Sequence, residues 1–170
     1  MSPVNPVSTA GTVHNESGRH QRRPLALVTG ATSGIGLAVA RDLAADHDLV
    51  LLARTTTDLE ELASVLGEET GSRVRTCAVD LTDDEALAVA VGELNLTRLD
   101  VLVNSAGVEA AGALEELSPA QWRSVLDLDL VAVAHLTGLL LPALREARGL
   151  TIMINSGAGL RTWPEQALYC

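Results

Sequence analysis

Leu25-Ala26-Leu27-Val28-Thr29-Gly30-Ala31-Thr32-Ser33-Gly34-Ile35-Gly36 reads as a strand, a glycine-studded turn and the opening of a helix. The apolar run stops at Gly30, and an amphipathic helical pattern follows from Gly34 to about Ala45. Glycine at Gly30 permits a tight turn with positive φ. Gly34 and Gly36 have no Cβ, so a diphosphate and the neighbouring strand can approach the backbone closely. Free amides at the helix start point at such an anion, with the positive end of the helix dipole behind them. The plain alternative is a strand-to-helix turn that happens to use three glycines. The phosphate reading is favoured because the strand before and the helix after are both present.

Working outward, short apolar runs alternate with longer helical patterns, as in parallel βαβ units. The predicted strands are residues 25–29, 48–53, 73–78, 99–104 and 150–155. Thr57 with Glu60, Thr82 with Glu85 and Ser118 with Gln121 each match a capping box, and Pro119 occupies the favoured first helical position. The longest helix is expected from about Pro119 to Arg148, kinked or broken at Pro142.

A chain of 170 residues that is 47% hydrophobic suits one globular domain with a real core. No run approaches eighteen uninterrupted apolar residues and no basic-plus-apolar leader opens the chain, so the expectation is a cytoplasmic protein without a membrane partner. Two cysteines, Cys77 in a strand and Cys170 at the last position, make no framework and no metal site, and Cys77 reads as core. The net charge of −10 argues against nucleic acid, whose phosphates reward clustered cations. All 12 basic residues are arginine. Residues 1–23, with Pro3, Pro6 and no periodicity, read as a disordered tail ahead of a domain over 24–170. Asp83-Asp84-Glu85 and Glu60-Glu61 read as solvated first helical turns favoured by the dipole. His135, among Val131, Val133, Leu136 and Leu139, reads as a core or partly buried imidazole, and His47 as surface.

Four further elements accompany the glycine turn: Asn104-Ser105-Ala106-Gly107 after the fourth strand, Asp127-Leu128-Asp129 on a helix near Trp122, Asn155-Ser156-Gly157-Ala158-Gly159 after the fifth, and Tyr169 thirteen residues beyond Ser156. In this order the set resembles the short-chain dehydrogenase/reductase family, over residues 24–170. The resemblance implies an α/β fold, a Rossmann-like doubly wound parallel sheet with strand order 3-2-1-4-5. It also implies an oxidoreductase that interconverts a small-molecule carbonyl and an alcohol with a nicotinamide cofactor. Ser156 then polarises the substrate oxygen and Tyr169 exchanges the proton. Asp129 stands where the family usually has an asparagine that holds a relay water, and it lacks the amide donor. The turn residues Gly30, Thr32, Ser33, Gly34, Ile35 and Gly36 are the implied cofactor site, together with Asp80, Leu81, Asn104, Ala106 and Gly107. The second strand ends in Ala53-Arg54 with no acid before Asp58, which favours NADP(H) over NAD(H) because an arginine accommodates a 2′-phosphate.

The family places a lysine four residues after the tyrosine to lower a phenol pKa of about 10. This sequence contains no lysine and ends at Cys170. The expectation is therefore a chain lacking the family's final strands and helices, at best a poor catalyst, with residues 150–154 as an exposed apolar edge prone to self-association where intact relatives form homo-oligomers. The rival from another class is a non-catalytic nucleotide-binding chain, identified by cofactor binding without turnover. A sugar-nucleotide epimerase is a weaker third reading, since those proteins usually space their glycines G-x-x-G-x-x-G.

Overall fold

The computed structural model describes residues 22–161 and 163–169. The tail read as disordered lies, over residues 1–21, outside the described residues, as does Cys170. Arg23 is firmly placed: its guanidinium donates to the carbonyls of Ala44 (2.7 Å) and Thr70 (3.2 Å).

Five parallel strands, β1 (Leu25–Thr29), β2 (Asp48–Ala53), β3 (Val74–Ala78), β4 (Val101–Asn104) and β5 (Leu150–Met153), form one sheet in the order β3-β2-β1-β4-β5. The sequence segments match closely. β4 begins later than expected because Asp100 turns its carboxylate to the Leu25 N–H (2.9 Å) and to Arg98, while the Leu99 N–H donates to the Ala143 carbonyl. β5 ends early because Asn155 accepts from the Ser156 N–H and bends the chain.

Alternate strand residues feed two apolar layers, as a sheet covered on both faces requires. Leu27, Val50, Leu52, Cys77 and Leu102 pack against α3 (Asp84–Leu94) and α5 (Val133–Ala147) through Leu87, Val91, Leu136, Leu140 and Leu144. On the other face Ala26, Val28, Leu49, Leu51 and Val103 meet α1 (Gly34–Leu43) and α2 (Thr56–Thr70) through Ala40, Leu59, Leu62 and Leu66. Cys77 is buried, and burial pushes its thiol pKa up.

Two of the three expected helix caps fall elsewhere. α2 starts two residues earlier, after Thr55, so Thr57 lies inside the helix. α3 is capped by Asp83, whose carboxylate accepts from the Ala86 N–H (2.9 Å), while Thr82 is occupied by Asp80. The aspartate outcompetes the hydroxyl because a charged acceptor gives the stronger bond. The Ser118–Gln121 box opens α4 (Pro119–Leu126) as expected, with Pro119 in the first turn. Pro142 lies inside α5, and the irregularity falls earlier, as a π-helical segment at Asp127–Ala132. The helical stretch Pro119–Ala147 is long and apolar enough to cross a membrane by length and composition, yet Leu136, Leu140 and Leu144 are buried under the sheet. His135 is partly buried, its Nδ1 3.4 Å from an Asp84 oxygen. His47 is not a surface residue: its side chain is largely buried, paired with Asp46, and its carbonyl accepts from Ser72 Oγ.

Candidate active site

Parallel strands send all their C-terminal ends to one side, and the sheet reverses direction of travel at β1, leaving a crevice between the turns after β1 and β4. The turn after β1 is shaped by its glycines. Gly30 has φ +63°, and a Cβ there would lie 3.0 Å from the Ala106 backbone. At Gly36 a Cβ would lie 2.3 Å from the Gly30 carbonyl oxygen, so α1 can follow β1 this closely only with glycine. Gly34 has φ +52° with open space where its side chain would be.

α1 begins after Ser33 with no side-chain cap and no acidic residue in its first turn. Its leading amides are therefore left for an anion, and the open space at Gly34 lets one reach them. The residues present fit a dinucleotide diphosphate. Thr32 is partly exposed, while Ser33 and Ile35 are exposed around the same turn.

Thr29 went unnoticed among the candidate residues. Its hydroxyl oxygen, on a residue only 1% exposed, accepts from the N–H groups of both Ser105 and Ala106 at 3.0 Å. One oxygen thus ties the glycine turn to the Asn104–Gly107 segment across more than seventy residues of chain. A threonine ending an apolar strand beside N-x-A-G was the available signal.

Asn104 lends its backbone position rather than its side chain, which is 4% exposed. Its Nδ2 approaches Met153 Sδ (3.3 Å) and Thr137 Oγ1, and its Oδ1 has no partner. Leu81 likewise turns its side chain into the core. Arg54 is exposed at the end of β2. Asp80, at the end of β3, accepts from the N–H and hydroxyl of Thr82, and these bonds, helped by Arg54, hold its carboxyl below the usual range.

Asp129 sits in the π-helical segment, where the widened turn brings it under Gly107 and Val108. Its Oδ1 accepts from the Val108 N–H at 3.0 Å. Burial raises its pKa, and the Val108 bond only partly offsets that. Ser156 follows β5 and accepts from the Ala158 N–H (3.1 Å). Ser156 and Tyr169 line one cleft of about 510 Å³, with Glu109, Gly157, Ala158 and others. Tyr169 is not loose: its N–H donates to the Gln166 carbonyl (3.0 Å) and the adjoining Leu168 is buried. Among the described residues, no group of His, Cys, Asp or Glu could hold a metal ion.

Fold and crevice together define a doubly wound dinucleotide-binding protein. The sequence model of the short chain dehydrogenase family matches residues 24–170, and the chain belongs to that family. It is 40% identical over 149 residues to nodulation protein G of Rhizobium sp. (strain N33), covering 85% of this chain and 59% of that protein. To sulfoacetaldehyde reductase 2 of Chromohalobacter salexigens it is 33% identical, covering 82% of this chain and 56% of the relative. Among solved structures it resembles an alcohol dehydrogenase of Thermococcus sibiricus complexed with 5-hydroxy-NADP (TM-score 0.83, 31% identity, 86% of this chain and 63% of that one). It also resembles L-sorbose reductase of Gluconobacter frateurii complexed with NADPH and L-sorbose (TM-score 0.81, 31% identity, 87% and 58%). The chain thus spans little more than half the length of these curated relatives.

Proposed function

We propose that the protein is an oxidoreductase that interconverts a small-molecule carbonyl and an alcohol with NADP(H). The observation that carries this reading is one cleft lined by both Ser156 and Tyr169, on the sheet side where the uncapped glycine turn opens. When bound, the dinucleotide supplies or accepts the hydride. The turn Gly30–Gly36 and the backbone of Asn104, Ala106 and Gly107 would hold it. Ser156 Oγ donates a hydrogen bond that polarises the carbonyl oxygen, and Tyr169 Oη delivers the proton to that oxygen, or removes it in the reverse direction. Asp129 steadies the Gly107–Val108 backbone through its carboxylate.

The preference for NADP(H) rests on Arg54, exposed at the end of β2 without an acid until Asp58, and on Asp80 as the polar group at the adenine end. The relatives bound to NADPH and 5-hydroxy-NADP support it. Fluorescence titration with NADPH and NADH, on the parent and on Arg54→Asp, tests this. NADPH binds the parent about tenfold more tightly, and the substitution removes that advantage. Equal affinities that ignore the substitution overturn it. The proposed compartment is the cytoplasm, a reading supported by the burial of Leu136, Leu140 and Leu144 of α5 in the core.

One observation favours a second reading, a chain that binds nucleotide without turnover: Asp129, where the family usually has an asparagine, lacks the amide donor and commits Oδ1 to the Val108 N–H. NADPH binding with no oxidation across a panel of ketones and aldehydes selects that reading.

A further inference from the structure

Among the described residues, three that are not glycine have a positive φ: Asn95, Arg148 and Glu165. Asn95 and Arg148 end α3 and α5, where a left-handed residue is an ordinary helix stop. Glu165, at φ +59°, ends no helix. A long side chain is disfavoured in that conformation, and such strain persists only where surrounding contacts enforce it. Building on the reading of Tyr169 as the proton donor, we infer that Glu165 is a positioning residue for Tyr169. It acts through its left-handed main chain and not through its carboxylate, and it fixes the turn that carries Tyr169 into the cleft beside Ser156.

The contacts run in one direction along the chain. The Gln166 N–H donates to the Trp163 carbonyl (3.3 Å), closing a turn with Pro164 in its second position and Glu165 in its third. Proline followed by a positive φ is the mark of a type II turn, whose third position is normally glycine or asparagine. The Tyr169 N–H donates to the Gln166 carbonyl (3.0 Å), so a second turn begins where the first ends. Trp163, Gln166 and Tyr169 line the cleft, Leu168 is buried beneath it, and the Glu165 side chain is exposed.

One bond ties this double turn to the opposite wall. The Glu165 carbonyl accepts from the Gly112 N–H at 2.7 Å. The segment leading to Gly112 is itself held at Val108, whose N–H donates to Asp129 Oδ1 at 3.0 Å. The long helix therefore holds Val108, Gly112 holds Glu165, and the shared residue Gln166 holds Tyr169. The φ of residue 165 sets the direction of its carbonyl relative to Pro164, whose own φ is locked by its ring. A residue that leaves the left-handed region swings that carbonyl off Gly112, and the double turn loses its anchor on the Glu109 side of the cleft.

The test compares Glu165→Asn with Glu165→Val. Both remove the charge and are of similar size, but asparagine tolerates the left-handed region and a β-branched residue does not. The chain has a single tyrosine, so ring-labelled tyrosine reports Tyr169 alone in an NMR spectrum, and labelled glycine gives the exchange rate of the Gly112 N–H. Glu165→Asn leaves the Tyr169 ring signal in place and slows Gly112 exchange about threefold; Glu165→Val shifts the ring signal and speeds exchange about tenfold. In NADPH oxidation with a panel of ketones, Glu165→Val lowers kcat about tenfold and leaves the KM for NADPH within about twofold, whereas Glu165→Asn keeps both. Melting curves verify that each variant is folded. A valine variant with parental ring signal and Gly112 exchange overturns the inference, and so do asparagine and valine variants that disturb Tyr169 equally. No oxidation by the parent strikes the oxidoreductase reading alone, because the two NMR measurements still decide the positioning role.

Discussion

Replacing Thr29 by valine tests the joint between the glycine turn and the Asn104–Gly107 segment. Valine keeps the shape and β-branching of threonine, so β1 and its packing are preserved; only the hydroxyl is lost. That hydroxyl is the acceptor for two backbone N–H groups, Ser105 and Ala106, each at 3.0 Å, and Thr29 is 1% exposed. A partly buried N–H left without a partner costs about 1–3 kcal/mol, so two cost about 2–6 kcal/mol. For a chain of this size that lowers Tm by roughly 5–17 °C. Thr29→Ser keeps the oxygen and loses one methyl, costing about 1 kcal/mol. The assay is urea unfolding followed by circular dichroism, with NADPH titration alongside. The valine variant also binds NADPH about tenfold more weakly, because the loosened segment no longer backs the turn. If valine lies within about 0.5 kcal/mol of the parent, or serine is as damaging as valine, the hydroxyl is not the tie described.

Gly36→Ala brings a Cβ to 2.3 Å from the Gly30 carbonyl oxygen and 3.0 Å from that of Thr29, contacts with backbone that cannot yield cheaply. It costs about 3 kcal/mol and, by displacing α1, most of the NADPH affinity, whereas Gly92→Ala, helical with nothing within 4 Å, stabilises by about 0.5–1 kcal/mol in the same denaturation series. At Asp48 burial alone would raise the carboxyl pKa, but the hydrogen bonds and charge of Arg73 prevail and lower it. This stabilisation is therefore complete above the unfolded value of about 3.9 and is lost as pH falls through the lower folded value. Asp48→Asn costs about 2 kcal/mol at pH 7, and melts across pH 2–7 show the gap to the parent closing only below about pH 4.

Five strands and their parallel arrangement were legible because a sheet covered on both faces imposes near-continuous apolar runs, such as Leu49-Val50-Leu51-Leu52, broken by helices of a different period. The strand order came with the resemblance, and the sheet has it. Caps were less legible. Thr82 and Asp83 both satisfy the local grammar of a helix start, and only the competing pull of Asp80 on Thr82 decides which one caps α3. The π-helical segment was invisible, since nothing in Asp127-Leu128-Asp129-Leu130 departs from ordinary helical spacing, while Pro142 advertised a break that did not occur. A proline inside a helix forfeits one hydrogen bond, a loss the flanking buried Leu140, Ala143 and Leu144 outweigh by packing on the sheet.

The groups that organise the candidate site share one property that explains why a linear reading passes over them. Thr29 bonds to Ser105 and Ala106, Asp129 to Val108, and Gly112 to Glu165. Each bond spans between about twenty and nearly eighty residues of sequence, and each uses a backbone group at one end, so no pairing of side-chain types betrays it. They form a sequence in space nonetheless. The glycine turn is fastened to the end of β4, the segment after β4 to the long helix, and the far end of that segment to the stretch leading to Tyr169. A dinucleotide seated at the turn and a substrate seated in the cleft that Glu109 lines would therefore rest on the same run of backbone, residues 105–112. Loosening it at Thr29 or at Asp129 should be felt at both seats, whereas loosening it at Gly112 should be felt mainly in the cleft, since only that bond lies beyond Glu109.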